Sequence, residues 1–293
     1  MSVVAPLPEA TATVPVRRKR FLTLRTATRS PAFWVGAIIV GFWIVCAIWG
    51  RSLAPKDAFA DYIKTGYPRR AKPGGKFPFG TDDLGRDVLS RIIVGSHDIM
   101  KIAPLATSLG TVLGTILGLI TGYYRRWVDL VVSRVIDAFL SIPLLLLALV
   151  IITARGSSNE TVIIVIGVAF APIIARTVRS AVLAQADLDY VHAARLRGER
   201  SFYIMFFEIL PNVLGPILVE FTVRLGYAIF SVVTLSFLGV GVQDPSPDWG
   251  LAVSHYYGGL NPFWWPVVFP CLAIASLVVG VNLLADALQE AQT

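Results

Sequence analysis

The chain has little charge, little histidine and almost no cysteine. Asp, Glu, Lys and Arg make up only 15% of its 293 residues, well below the ~25% of an ordinary soluble domain. So dilute a charge excludes a solvated globule of this length. His97, His192 and His255 are isolated from one another, and Cys46 and Cys271 each fall inside an apolar stretch. That excludes a disulfide framework and a Cys/His metal set, and leaves the cysteines as small residues of an apolar core. No G-x-x-x-x-G-K loop is present, because Gly74-Gly75-Lys76 lacks the leading glycine at the required spacing. H-E-x-x-H and G-x-S-x-G are missing too. No residue is therefore assigned to catalysis or to a metal, and the chain is not expected to be an enzyme.

What the chain does have is apolar length. It is 55% hydrophobic with a mean hydropathy of +0.67, which points to an all-α, polytopic membrane protein. A span needs roughly 20 apolar residues, and six stretches qualify: 33–50, 102–124, 135–154, 161–180, a span placed at 216–236 within the longer apolar run 209–242, and 266–284. The first has no small-x-small cleavage site and is read as a retained anchor helix. The organisation expected is a basic tail over 1–32, then a first span with its loop and an amphipathic helix over 33–100. A core of five spans follows over 101–287, carrying a polar loop at 187–212. The net charge of +7 does not point to nucleic acid, since the basic residues are scattered between spans. Their one cluster, Arg17-Arg18-Lys19-Arg20, suits a juxtamembrane segment near anionic lipid. Six spans put both termini on one side. A narrow excess of Lys and Arg, together with the loop charges at 187–212 and none in the last loop, favours the cytoplasmic side.

Local patterns add detail. Asp187 and Asp189 offer N-caps to a short helix with adjacent Ala193 and Ala194, a low-relief patch that another protein can approach closely. Gly198 stops that helix. Ser201 offers a cap to a second helix, 202–210, and Pro211 marks a break. An ordinary helical hairpin has the same spacing. Leu84, Val88 and Ile92, four apart, predict an amphipathic helix over 79–95 lying on the membrane surface. Gly110, Gly114, Gly118 and Gly122 line one helical face and predict a close packing seam. Ser141-Ile142-Pro143 predicts a kink, either a packing device or a way to turn free carbonyls toward a pore. Glu220 and Arg224, four apart in one span, can pair on one face. They either border a transport path or simply satisfy each other between helices. Trp264 and Trp265 fit an interfacial aromatic belt.

The 187–212 loop also resembles a signature of bacterial ABC importer permease subunits. There, Glu-Ala-Ala is followed at fixed spacing by Gly and then by Ile-x-Leu-Pro. Here Ala193-Ala194, Gly198 and Ile209-Leu210-Pro211 follow that pattern. His192 stands where the family has Glu, and no residue separates Ile209 from Leu210. Two further stretches, Gly-Thr-Asp-Asp-Leu-Gly-Arg-Asp at 80–87 and Leu-Gly-x-Gly-Val-Gln with two prolines and Trp-Gly at 238–250, resemble the C-type permease subunit of dipeptide and oligopeptide importers. The resemblance extends over nearly the whole chain. It implies a type I ABC importer transmembrane domain that carries di- or oligopeptides across the cytoplasmic membrane. It also implies that Asp189, Tyr190, Ala193, Ala194, Arg197 and Gly198 form a coupling helix for a separate ATPase. The partners implied are a second permease, two ATPase subunits holding ATP and Mg, and an extracytoplasmic substrate-binding protein, with no cofactor in this chain. The same machinery could import nickel, glutathione or haem. A stand-alone secondary transporter is the alternative from another class, and a membrane-anchored scaffold is a third.

Overall fold

The computed structural model describes residues 28, 30–259 and 262–291; the basic cluster at 17–20 lies outside them. Among the described residues the regular structure is helical, and the elements are numbered in chain order. They are α1 (Pro31–Leu53), the short α2 (Tyr62–Thr65), α3 (Val88–Tyr124), α4 (Arg126–Leu140), α5 (Leu144–Arg155) and α6 (Asn159–Ala186). Then come α7 (Asp189–Leu196), α8 (Ser201–Phe237), α9 (Trp249–Tyr256) and α10 (Trp265–Glu290). By length and composition, α1, α3, α6, α8 and α10 can each cross a membrane, and α4 with α5 forms a sixth, broken span bent by 81°. Of the six spans expected, five are single helices long and apolar enough to cross, and the third is met only where α4 and α5 count together as one broken span.

The glycine seam holds the core together. Gly110, Gly114, Gly118 and Gly122 on α3 all face α6. A Cβ at Gly114 would stand 2.7 Å from the Ala171 carbonyl oxygen, and one at Gly118 2.6 Å from Val178 Cβ. The reciprocal contact is Gly167 of α6, whose Cβ would lie 2.9 Å from the Ala106 carbonyl oxygen. The two backbones pack directly because no side chain keeps them apart. The seam lies within this chain. α1 approaches α10 in the same way: a Cβ at Gly36 would meet the Gly280 carbonyl oxygen at 2.7 Å.

Four expectations change here. The predicted surface helix over 79–95 does not form. Asp87 caps α3, its carboxylate accepting from Ser90 N at 3.0 Å, so the helix starts at Val88 and runs 37 residues, through the boundary placed at residue 100. Val88 and Ile92 are buried in the core, and only Leu84 is exposed. The connection between the second and third expected spans, read from the sequence as a short loop over 123–134, is instead helical from Arg126, and α4 leaves α3 through Arg125, held at φ 52°. The break at Pro211 is absorbed: Ile204–Ile209 widens into a π-helix, and Leu210 N donates to the Met205 carbonyl. A proline lacks its N–H and crowds the carbonyl four residues back, and a wide turn just upstream relieves both. The span placed at 216–236 thus belongs to one 37-residue helix, α8. Finally, the last long loop contains α9, and Trp265 is not an interfacial belt residue. It is buried, and its Nε1 donates to the Thr81 carbonyl at 2.9 Å; Trp264 is exposed.

That last bond belongs to a seam joining the two long loops at the end opposite α7. Asp82 accepts from Arg86 Nε at 2.6 Å and from Arg86 N at 2.8 Å. Arg86 Nη2 donates to the Tyr256 hydroxyl at 3.3 Å, and that hydroxyl donates to Asp83 at 2.6 Å. Burial raises the Tyr256 pKa, which keeps the phenol protonated as a donor. Buried Arg91 donates to the carbonyls of Ala58 and Ser246, and Trp249 Nε1 donates to that of Ile92 at 2.9 Å. The segments 82–92 and 246–256 are far apart in sequence but pack against each other.

Asp248 gives this seam a pH dependence. It caps α9, one oxygen accepting from Leu251 N at 2.9 Å, and it is fully buried. Burial pushes its pKa up to about 6, above the unfolded value of ~3.9. The native state therefore holds more protons than the unfolded chain between about pH 4 and 6, and stability falls as pH rises through that window. Purified protein is expected to melt higher at pH 5.5 than at pH 7.5. Asp248→Asn, which keeps the cap, should flatten the difference. An unchanged pH profile in Asp248→Asn would locate the dependence elsewhere.

Candidate functional site

The 187–212 segment is a compact hairpin at one end of the bundle. Its first helix, α7, is capped differently from expectation. The N-cap is Leu188, with no side-chain cap, while Asp187 closes α6. Asp187 accepts from Arg125 Nη2 at 2.8 Å, a bond that holds its carboxyl below the usual range. Ser201 likewise makes no capping bond; Arg200 is the N-cap there.

The far end of α7 follows the sequence reading. Gly198 lies at φ 79°. Its N–H donates to the Arg195 carbonyl at 3.0 Å, and Glu199 N donates to the Ala194 carbonyl at 3.2 Å. These are the paired bonds of a Schellman stop, which needs a left-handed residue where glycine costs least.

The face presented by α7 differs from the expected patch. Ala194 is fully buried, as is Val191, so Ala194 is part of the hairpin's own packing and not of an open surface. Asp189, Ala193, Arg197 and Gly198 are exposed, and Leu196 is 90% exposed. Tyr190 is half-buried; its hydroxyl donates to Gln185 at 3.1 Å and its pKa is raised by burial. Arg197 pairs with Glu208 at 2.9 Å and so ties the glycine turn to the π-helix. Arg195 lies over the Tyr123 ring at 5.2 Å. Leu188, Phe202 and Phe207 are also exposed. The hairpin is thus fixed to α3, α6 and α8 on its buried side and offers an apolar knob, Leu196, on the other. The sequence places Leu196 in the apolar run 188–196 of this helix; only knowing which helical face packs inward reveals it as the exposed residue.

The broken span follows. Ser141 N donates to the Asp137 carbonyl at 3.1 Å, and Pro143, in extended geometry, starts α5. Ile136 is the one buried residue of α4. Polar contacts hold α4 instead: Asp129 accepts two bonds from Arg179 at 2.5 Å, and Asp137 pairs with Arg176. Asp129, Ser133 and Asp137 recur every four residues, so one stripe of α4 meets α6. The sequence reading missed Asp129, Arg176 and Arg179, although their spacing would have shown the stripe. Ser141 and Pro143 are themselves exposed.

Glu220 and Arg224 do pair on α8, Nε to Oε1 at 2.6 Å, with little side-chain exposure. Thr177 of α6 donates to the second Glu220 oxygen at 3.3 Å, and Arg224 stacks on Tyr227 at 5.2 Å. The second arm of the hairpin and this pair both belong to α8 but are separate sites. Among the described residues no group of His, Cys, Asp and Glu is arranged to hold a metal.

A helical bundle with up to six possible spans, one of them broken, and a helical hairpin at one end is the architecture of a polytopic membrane protein. Residues 114–293 match the family model described as binding-protein-dependent transport system inner membrane component. The chain is 37% identical over 258 residues to the dipeptide transport system permease protein DppC of Alkalihalophilus pseudofirmus, covering 88% of this chain and 84% of that one. It is 33% identical over 292 residues to the glutathione transport system permease protein GsiD of Pectobacterium atrosepticum, covering 96% and 94%. In fold it is similar to a chain of the inward-facing MetNI methionine ABC transporter, with a TM-score of 0.57 at 20% identity over 69% of this chain and 96% of that one. The chain belongs to the binding-protein-dependent transport system inner membrane component family, and is a multi-pass permease of the ABC importer type. The stand-alone transporter and the scaffold are set aside by that membership.

Proposed function

We propose that this permease carries di- and oligopeptides into the cytoplasm, paired with a second permease and driven by two separate ATPase subunits that hold ATP and Mg. Peptide cargo is supported by the relatives, since dipeptides and glutathione both carry peptide bonds and free carboxylates. In this reading α7 and both termini lie on the cytoplasmic side, and the seam of the two long loops faces outward, where a substrate-binding protein delivers the cargo. The observation that carries the coupling role is Leu196, 90% exposed on a helix otherwise fixed on its inner face. Asp189, Ala193, Arg197 and Gly198 border it, Tyr190 steadies α7 from behind, and Ala194 packs beneath it. Closure of the ATPase pair would push this hairpin as one body. Because α7 is fixed to α3, α6 and α8, the push would tilt these spans and switch the access side.

The test is uptake of labelled di- and oligopeptides into proteoliposomes holding the complete complex. ATP-dependent uptake that is lost without the ATPase subunits is the expected result. Uptake driven by an ion gradient alone would overturn the reading. ATP hydrolysis coupled instead to nickel or haem uptake would replace the cargo and leave the machine.

A further inference from the structure

Arg224 occupies an unusual place for a guanidinium. It sits on α8 thirteen residues before the helix end at Phe237, about 20 Å along the axis at ~1.5 Å per residue. The hydrocarbon core is ~30 Å thick, so Arg224 lies deep within the span. Its ion pair with Glu220 uses Nε only. The two terminal nitrogens carry four of the five N–H donors and take no part in it. The Arg224 side chain is 18% exposed, so part of it reaches accessible space. Tyr227, stacked beside it, is 56% exposed, and Phe230 is exposed as well. A charged fork is costly to open onto lipid at this depth, and a water-filled path between this face and a second permease would relieve that cost. Glu220 cancels the charge at rest and is itself held by Thr177 of α6. The planar fork left over matches a carboxylate.

We infer that Arg224 receives the α-carboxylate of a peptide as it crosses the membrane, with Glu220 holding the guanidinium from behind and Tyr227 forming the adjoining wall. The inference rests on the peptide-importer reading and adds a recognised group and a site to it.

The experiment compares a labelled dipeptide with its C-terminal amide, each delivered by saturating loaded binding protein to the reconstituted complex. In the wild type both should enter. Arg224→Gln should lower free-acid uptake about tenfold, the order expected for one charged hydrogen-bonded contact, and leave amide uptake within about twofold. Arg224→Lys keeps the charge beside Glu220 but loses the fork. It should fold normally and lower free-acid uptake severalfold with the amide spared, so the test survives a folding failure of the glutamine variant. Equal losses for acid and amide in the lysine variant, or no loss in either, would overturn the inference and leave the importer reading intact. No uptake of either compound by wild-type complex would overturn the peptide reading and this inference together.

Discussion

Gly114→Val is expected to remove the protein from the membrane fraction. The new Cβ would come within 2.7 Å of the Ala171 carbonyl oxygen and of Ile174 Cβ, with Ile174 Cγ2 at 2.8 Å. Real Cβ atoms do not come so close, and a backbone carbonyl cannot rotate away as a side-chain tip can. The helices must part, and the contacts that Gly110, Gly118 and Gly122 make along the same face loosen with them. Overpacking a well-filled core costs typically 1–3 kcal/mol. Here two further atoms of valine and the zip-like continuity of the seam place the cost at about the upper end or beyond, a large share of a typical stability of ~5–15 kcal/mol. Gly41→Val in α1 is the control, because a Cβ there meets nothing within 4 Å. Melting curves and recovery on size exclusion in detergent read the outcome. A wild-type melting point for Gly114→Val would mean that the helices are not in direct backbone contact.

The second large effect is expected from Leu196→Asp. The side chain is 90% exposed, so the change should leave the melting curve of the isolated permease within a degree or two. If α7 docks on the ATPase as proposed, the charge would be buried at that interface, and desolvating a carboxylate without a partner is costly. Co-purification of the ATPase subunits and peptide uptake should each fall at least tenfold. Ala194→Asp should behave differently, because Ala194 is fully buried: a carboxylate there disrupts the hairpin itself and lowers the melting point. Retention of the ATPase by Leu196→Asp at the wild-type level would move the docking surface away from α7.

The contrast between these two neighbours shows what could be read before the structure was in hand. Periodicity reports that residues share a face. It does not report which face turns inward on a helix of eight residues flanked by polar loops. Ala193-Ala194 therefore read as one patch, whereas the two side chains lie on opposite sides of the packing boundary. The glycine repeat was legible because four glycines at one spacing permit a single physical use, a close approach. The 81° break was legible in Pro143 for a similar reason. The helix start at Val88 was not. It depends on Asp87 turning back to cap Ser90 and on Asp82 and Arg86 being buried against Tyr256, a residue 170 positions away. The same loop-to-loop packing removed Trp265 from the aromatic belt. Pro211 misled because its effect was absorbed in the turn before it, and the six residues of π-helix carry no composition of their own.

The length of α3 has a mechanical consequence. Welded to α6 along most of its length, it forms a stiff beam of 37 residues, roughly 55 Å at ~1.5 Å per residue. One end lies beside α7, where Tyr123 and Arg125 grip Arg195 and Asp187. The other is buried in the two-loop seam, where Gly95 abuts Pro247 and Ile92 accepts from Trp249. A lever of that length turns a small angle into a large stroke: a tilt of about 10° at the hairpin sweeps the distant end through roughly 10 Å. Pro104 lies within the beam, so the stroke would reach the cross-braced cap in full only to the extent that the packing on α6 holds the helix straight there. The opening at one membrane surface and the closing at the other then become two readings of a single rotation.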